Sequence, residues 1–519
     1  MNIHAPLSAT LFATLSLAGL ACGNKGSSTG SGGATSTGSG SGGTGAAHEP
    51  ESVLQRNKHA TRDGLYVQPG LTRMAAKGLH LDTSFHAQTQ GATYAQPLYV
   101  DGGKGGKDVV LVATEQNWVY ALDAATGATV WKKQVGAPVP LGKMGCGNID
   151  PFGVTGTPVI DFPSRTMYLD ALVDDGGPTH RIFAVSLDDG SLKAGWPVDM
   201  STVKAGATTF KAQLHGQRGA LAIVGGTLYV PFGGLFGDCG DYHGWLVAVP
   251  LANPAGVQAW ATEARGGGAW APGGVSSDGT SVFLATGNTF SATTWAGGEA
   301  ILRFGTGAAF GAKPADHFAP LNWQALDAGD VDLGGTAPVL FDMPGSVPSK
   351  LTAAMGKDGR VRLLDREHLG GVSTPLADQK ISDAELINAP AAYTTAQGTY
   401  LAFRGAGNIC LNAFGGDLAA VKLTPGSPPA FGKGWCAHQN GMGSPMVTTT
   451  DGHADAIVWG LGAEGDGRLH GINGDTGDVV FDGGGPGDVM AGLRRFSTPI
   501  AAKGRIFVAG DGTVYAFTL

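Results

Sequence analysis

The chain has 519 residues, of which 87 are glycine and only 15% are charged, and its formal net charge at pH 7 is −8. A negative chain without a run rich in Lys or Arg argues against nucleic acid as a partner. The globular part contains nothing close to the roughly 18 consecutive apolar residues of a membrane-spanning helix.

Residues 1–21 have the features of an export signal. Residues 7–21 form an apolar run that ends in small residues, which predicts cleavage before Cys22. The arrangement resembles a bacterial lipoprotein signal, in which Cys22 becomes the lipidated first residue and anchors the protein to a membrane. Gly19 stands where such signals usually have Leu, and no Lys or Arg precedes the apolar run, so an ordinary secretory signal is the alternative. We expect a periplasmic or outer-membrane-associated lipoprotein, with free secretion as the alternative.

A low-complexity segment follows the signal. Residues 23–47 consist almost entirely of Gly, Ser, Thr and Ala, with no apolar side chain larger than that of Ala. Such a composition cannot bury enough apolar surface to fold. We therefore predict a flexible tether over residues 22–60 and a globular domain over residues 61–519.

Residues 119–131 (VYALDAATGATVW) contain the most informative pattern of the domain, a strand, a tight turn and a second strand. The Asp123 carboxylate can accept backbone N–H bonds in the turn, and Gly127 can adopt the positive φ that closes it. Trp131 offers a large flat surface for packing against a neighbouring unit. A unit of this size cannot bury its own apolar face, so repetition is required.

Degraded copies of this unit recur to the C-terminus. Eight units begin near residues 92, 152, 214, 270, 330, 388, 441 and 496, at a spacing of about 40 residues plus insertions. The pattern predicts an all-β protein, an eight-bladed β-propeller of four-stranded antiparallel blades. Because the last copy stops at the end of a strand, we expect a strand within residues 79–85 to pair with residues 514–517 and close the ring.

The repeat resembles that of a known family. Ala121, Asp123, Thr126, Gly127 and Trp131 match the pattern A-x-D-x-x-T-G-x-x-x-W of bacterial pyrroloquinoline-quinone-like (PQQ-like) repeat propellers, in the quinoprotein dehydrogenase-like superfamily. The resemblance covers residues 61–519. It implies the fold but leaves the function open, because the superfamily includes both quinone-dependent dehydrogenases and propellers that bind no cofactor.

Four cysteines remain after Cys22, an even number that suggests disulfides in an exported protein. In the predicted register Cys146 and Cys239 lie in neighbouring loops, as do Cys410 and Cys436, and all four share one face of the propeller. We predict the bridges Cys146–Cys239 and Cys410–Cys436, with four free buried thiols as the alternative.

The same face, formed by the loops between blades and by the second loop within each blade, collects residues suited to binding. Trp and Tyr supply contact area at a low entropic cost, and Gly lets the backbone approach a ligand. The candidate binding residues are Asp241, Tyr242, His243, Trp245, Trp270, Asn288 and Trp295. Packing at the seams between blades is the alternative role for each of them.

Signals for catalysis are weak. The chain has no adjacent Cys-Cys pair and no C-x-x-C-H haem motif, which a quinoprotein dehydrogenase with its cytochrome would be expected to show. Asp327, Asp330 and Asp332 form a weak calcium candidate that lacks the spacing of an EF-hand, and a solvated loop is the alternative. No catalytic residue and no other metal site is predicted.

These observations predict a non-catalytic binding or scaffolding module. Its loop-rich face would take a protein or small ligand, and the N-terminal lipid would hold it at a membrane. The alternative is an atypical quinone-dependent dehydrogenase that uses the propeller funnel with PQQ and calcium.

Overall fold

The computed structural model describes residues 51–408, 410, 411 and 415–519 as an eight-bladed β-propeller. The predicted fold is confirmed. The signal segment 1–21, the lipidation candidate Cys22 and most of the predicted tether lie outside the described residues.

Each blade is built from antiparallel strands that run from the central channel outwards. The strands of blades 1 to 4 are, in that order, Leu98–Val100, Val109–Ala113, Trp118–Asp123 and Thr129–Gln134; Val159–Asp161, Thr166–Asp174, Pro178–Ser186 and Val198–Asp199; Ala222–Val224, Thr227–Gly234, Trp245–Pro250 and Gln258–Ala261; Ser276–Ser277, Val282–Thr286, Ala300–Gly305 and His317–Pro320. Those of blades 5 to 7 are Val339–Asp342, Lys350–Met355, Arg360–Asp365 and Ala377–Lys380; Ala391–Thr395, Gly398–Arg404, Leu418–Thr424 and Ala430–Ala437; Met446–Thr449, Ile457–Leu461, Leu469–Asn473 and Val479–Asp482.

The described chain has shorter strands and helices besides the main strands of the blades. The extra strands are Leu65–Val67, Lys204–Ala205, Thr208–Thr209, His215–Gly216, Ala309–Phe310 and Gly371–Ser373. The short 3₁₀ helices are Ala75–Gly78, Lys104–Gly106, Leu141–Lys143, Met200–Thr202, Ala212–Leu214, Thr306–Ala308, Pro314–Asp316, Leu333–Gly335 and Pro486–Asp488, and an α-helix spans Trp323–Gly329. None of the helices in the described ranges is long and apolar enough to cross a bilayer.

Blade 8 joins the two ends of the domain. Its inner strands Ile500–Ala502, Arg505–Gly510 and Thr513–Thr518 come from the C-terminus, and its outer edge comes from His80–Leu81 and Ala87–Gln88. His80 pairs with Thr518 and Leu81 with Phe517 in antiparallel register. This confirms the predicted closure, in which residues from before the first blade cover the outer edge of the C-terminal strand.

The repeat unit of blade 1 explains how one blade packs on the next. The Asp123 carboxylate accepts hydrogen bonds from the backbone N–H groups of Ala125 and Thr126 at 3.0 and 3.1 Å, and Gly127 adopts a φ of 77°. The Trp131 indole N–H donates to the Leu187 carbonyl of blade 2 at 2.8 Å. The aromatic residue that ends the repeat therefore ties its blade to the following one.

The central channel is filled by the chain itself. Residues 52–68, which we call the plug, bond to or beside the inner strand of every blade. The contacts follow the ring through Val53 with Tyr99, Leu54 with Ile160, Arg62 with Leu221, Ala60 with Ser277, Thr61 with Leu340, Asp63 with Ala392, Gly64 with Val447, and Arg56 with Thr498.

The plug changes one predicted boundary. The sequence predicts a flexible tether up to residue 60, whereas residues 51–60 belong to the propeller. Their composition differs from the Gly/Ser-rich stretch, because Val53 and Leu54 supply apolar surface and Arg56 lies buried in the channel. The backbone groups of this segment find partners on the inner strands, which offsets the entropy lost on ordering it.

Candidate functional site

A pocket of about 460 Å³ opens on the face formed by the loops between blades and the second loop within each blade. We call it the loop-face pocket. Its size lies in the range of small-molecule sites. The residues that line it include Arg218, Phe236, Trp270, Asn288, Asp330, Asp332, Lys357, Arg495 and Phe496.

Trp270 and Arg218 define one wall of this pocket. The Arg218 guanidinium lies 6.0 Å from the centroid of the Trp270 ring and 5.5 Å from that of Phe496. Burial lowers the pKa of Arg218. In the part of the chain that the structure describes, no acceptor takes a hydrogen bond from this guanidinium, and no carboxylate forms an ion pair with it. A partly buried cation between two rings, with unused donors, is a ready site for an anionic group.

A carboxylate–lysine cluster also lines the pocket. The Lys357 ammonium lies 2.9 Å from an Asp330 oxygen and 2.6 Å from an Asp332 oxygen. Asp332 also accepts the backbone N–H of Asn288 at 2.7 Å. Burial raises the pKa of Asp332, while Lys357 opposes that effect. Lys357 also lies 5.7 Å from the centroid of the Trp270 ring, so the cluster borders the same aromatic surface as Arg218.

An adjoining cavity of about 310 Å³ extends the pocket towards blade 8 and shares Arg218 and Phe496 with it. Arg494 and Arg495 line this cavity, each paired with a carboxylate, Asp511 for the first and Glu464 for the second. Three arginines thus surround this end of the combined space, but Arg494 and Arg495 are neutralised by these carboxylates. Arg218 is therefore the guanidinium at this end that has no ion-pair partner among the described residues.

A buried glutamate lies behind the basic end. Glu115, in the second loop of blade 1, is 1% exposed, and one of its oxygens accepts the Gly153 N–H at 2.7 Å. Burial raises its pKa to about 7, and the nearby Arg218 and Arg494 oppose that effect. Glu115 therefore changes charge close to neutral pH beside the cation that faces the pocket.

The loop that carries Arg218 is anchored by two buried histidines. His180 contacts Asp170 at 2.6 Å and the His215 carbonyl at 3.0 Å. The His215 ring accepts a hydrogen bond from the Trp245 indole N–H at 3.1 Å, and burial lowers its pKa to about 4, which keeps it neutral. These contacts hold residues 215–218 at the edge of the pocket.

Both predicted disulfide bridges are present. Cys146–Cys239 joins the loop entering blade 2 to the second loop of blade 3, with Cα atoms 6.0 Å apart, and Cys410–Cys436 closes blade 6, with Cα atoms 5.4 Å apart. The first bridge lies beside Phe236, a pocket residue whose side chain is 68% exposed.

The predicted binding residues divide into two groups. Trp270, Asn288 and Tyr242 line the loop-face pocket. The remaining four lie elsewhere: Asp241 is exposed and paired with Lys211, His243 contacts the Thr262 carbonyl, Trp245 is fully buried, and Trp295 stacks on His317. Their positions fit the alternative role of supporting loops and seams.

Several pocket residues have no counterpart among the sequence predictions, above all Arg218, Lys357, Phe496 and the Arg494–Arg495 pair. They come from three loops that lie far apart in the sequence, and Phe496 follows the arginine pair directly, so no single local motif joins them all. The available signal is that a basic residue recurs at the loop positions of a chain with few charges, in GQRGA, GKDGR and GLRRF.

Comparison with known proteins shows the fold. No protein-family model and no curated protein matches the chain. Among solved structures, a quinohemoprotein alcohol dehydrogenase from Pseudomonas putida HK5 has a TM-score of 0.60 at 14% identity, with 90% of this chain and 80% of that chain covered. A second, from Comamonas testosteroni, has a TM-score of 0.56 at 16% identity, with the same coverage. A europium-containing methanol dehydrogenase has a TM-score of 0.59 at 15% identity, with 91% of this chain and 98% of that chain covered.

These identities are low, and the likeness therefore extends to the fold alone. The resemblance to PQQ-like repeat propellers is confirmed at that level: the chain has the propeller fold of the quinoprotein dehydrogenases.

Proposed function

We propose that this propeller is a non-catalytic binding module that holds a small planar anion in the loop-face pocket. The observation that carries the proposal is Arg218, a partly buried guanidinium that contacts two aromatic rings and has no acceptor among the described residues. These donors face the pocket, where hydrogen bonds to a charged group are stronger than those to a neutral one. A carboxylate of a bound ligand would satisfy them.

The shape of the pocket supports a planar molecule. The Trp270 ring borders both Arg218 and Lys357, so a flat ligand stacked on it would contact cations at either side. The arginine-rich end suits a carboxylate, while the Asp330–Asp332 end suits a hydroxyl or amine donor.

The donor set does not fit a resident calcium ion. Asp330 and Asp332 are the carboxylates that would bind it, and the Lys357 ammonium already lies within 2.9 Å of both. The third candidate, Asp327, accepts hydrogen bonds from the N–H and the hydroxyl of Thr289. A calcium ion bound by Asp330 and Asp332 would have to displace the Lys357 ammonium.

A direct test measures binding of naphthalene-2,6-dicarboxylate by calorimetry, with adipate as a flexible control of similar length. We expect the aromatic dicarboxylate to bind more tightly. Arg218→Met should weaken it by about 10-fold or more, since a hydrogen bond to a charged group contributes roughly 1.5–3 kcal/mol. Arg265→Met is the matched control, because Arg265 stacks on Phe290 on the same face but already donates to the Gly240 and Asp238 carbonyls.

Equal affinity of the wild type and Arg218→Met would refute the proposed site. The alternative function, a quinone-dependent dehydrogenase, is favoured only by the Trp270 surface, since PQQ is itself a planar anion. Alcohol- or sugar-dependent reduction of an artificial dye on addition of PQQ would establish that alternative in place of the binding module.

We also propose export and anchoring through a lipid on Cys22, on the strength of the signal-like residues 1–21 and the tether that follows. The mature protein should then partition into detergent, and Cys22→Ser should release it or leave it unprocessed. A fully soluble wild type with an unmodified Cys22 at its N-terminus would leave ordinary secretion.

A further inference from the structure

The plug enters the channel, turns near the loop face and leaves on the side where it entered. Both of its ends lie at the face opposite the loop-face pocket: the Ser52 hydroxyl accepts from the Asp101 N–H, and the Gln68 side chain accepts from the Gly504 N–H. Between these ends, Arg56 extends through the channel towards the loops that enter blades 2 and 8. The plug is therefore in contact with the two loops, entering blades 2 and 8, that border the loop-face pocket.

The Arg56 side chain connects the loop that enters blade 8 with the loop that enters blade 2. Its guanidinium donates to the Phe496 carbonyl at 3.1 Å, to the Thr498 hydroxyl at 2.8 Å and to the Thr157 hydroxyl at 3.4 Å. The residue is 1% exposed. A buried arginine with these neutral acceptors has little freedom to move, because any displacement leaves donors unpaired.

Phe496, the first of these partners, has an unusual backbone. Its φ is 71°, in the left-handed region that a bulky L residue rarely adopts. Such a conformation persists only where the surroundings determine it. Here the N–H of Phe496 donates to the Met442 carbonyl at 3.1 Å, and its carbonyl accepts from Arg56 and from the Thr498 hydroxyl. The ring is thereby held 5.5 Å from the Arg218 guanidinium.

We propose that Arg56 is a positioning residue for the ligand site, which acts through Phe496 on Arg218 and makes the pocket depend on the plug being seated in the channel. The inference rests on the proposed function for its ligand. The contacts from Arg56 to the Phe496 carbonyl and from the Phe496 ring to Arg218 are present in the structure whatever the ligand is.

The test compares two arginines of the same segment. Arg62 is also 1% exposed, and its guanidinium donates to the Val275 and Leu221 carbonyls, to the Gln55 side chain and to the backbone carbonyl of Arg56. It makes no hydrogen bond to Phe496 or Thr498 among the described residues, so it supports the plug without the contacts that the Arg56 side chain makes. Arg56→Met and Arg62→Met should therefore both lower the melting temperature. Only Arg56→Met should raise the Kd for naphthalene-2,6-dicarboxylate, by about 10-fold, and Arg56→Lys, which keeps one donor for Phe496, should fall between it and the wild type.

Hydrogen exchange supplies a readout that needs no ligand. Backbone amides of residues 493–499 should exchange faster in Arg56→Met than in the wild type, and at the wild-type rate in Arg62→Met. If the wild type binds no probe, the proposed function fails, and the exchange comparison alone decides whether Arg56 positions Phe496. If Arg56→Met does not fold, the binding and the exchange measurements are made on Arg56→Lys instead. Equal effects of the Arg56 and Arg62 variants on both readouts would overturn the inference.

Discussion

Replacing Glu115 with glutamine is expected to stabilise the protein at pH 8 and to flatten its stability profile between about pH 4.5 and 7. Burial raises the pKa of Glu115 from 4.5 to about 7. Between these values the folded protein holds a proton that the unfolded chain releases. The free energy of unfolding of the wild type therefore falls as the pH rises through this window, and levels off above pH 7.

The size of the effect follows from that separation. At about 1.4 kcal/mol for each pKa unit, the ionised carboxylate costs about 3 kcal/mol once the pH exceeds 7. Glutamine can keep the hydrogen bond from the Gly153 N–H without the charge. The variant should thus gain up to about 3 kcal/mol relative to the wild type on going from pH 4.5 to pH 8.

Urea unfolding at pH 5, 6, 7 and 8 measures this difference. Glu464→Gln is the control with the opposite sign: partial burial disfavours its charge, but hydrogen bonds from Arg495 outweigh that effect and lower the pKa of Glu464. Its stabilising contribution is present at neutral pH and is lost as the pH falls. Parallel profiles for the wild type and Glu115→Gln would refute the reasoning, because they would mean that Glu115 does not titrate in this window.

Three further predictions concern the site and the fold. Above pH 7 the ionised Glu115 should compete for Arg218, so that calorimetry gives a higher Kd for naphthalene-2,6-dicarboxylate at pH 8 than at pH 6; a similar rise in Glu115→Gln would contradict this. Trp131→Ala should cost about 2 kcal/mol in urea unfolding by removing the tie to the Leu187 carbonyl, and an unchanged midpoint would show that the tie is dispensable. Cys410→Ser opens a bridge between residues 26 apart and should cost about 3 kcal/mol. Reductant should lower the melting temperature of this variant less than that of the wild type, because only Cys146–Cys239 is left to reduce, and a loss as large as the wild type's on reduction would contradict that assignment.

The blades could be predicted because the residues that define each repeat lie close together in the sequence. The turn chemistry of Asp123 and Gly127, and the Trp131 that ends the unit, lie within 13 residues. The disulfide pairs followed from the blade register, since it places each pair in neighbouring loops. Trp270 and Asn288 were found because their loops are rich in Gly and aromatic residues.

The rest of the site was not predictable in this way. Arg218, Lys357 and Phe496 come from loops of blades far apart in sequence, and an isolated basic residue in a loop is ordinarily a solvated one. Trp245 and Trp295 illustrate the converse. Their residue types suit a binding surface. In the structure, however, Trp245 is buried against His215 and Trp295 stacks on His317, so both contribute to packing.

The sequence by itself determined the repeat, the number of blades and the closure of the ring, because each rests on periodicity and short-range turn geometry. Only the tertiary structure decided that residues 52–68 fill the channel and that Arg218 has no acceptor among the residues that the structure describes. Both depend on contacts between residues separated by up to several hundred positions, such as Arg56 with Phe496. A charged side chain is paired or unpaired according to which residues the closed ring places beside it. Those residues are distant in the sequence, so a local sequence pattern cannot predict them.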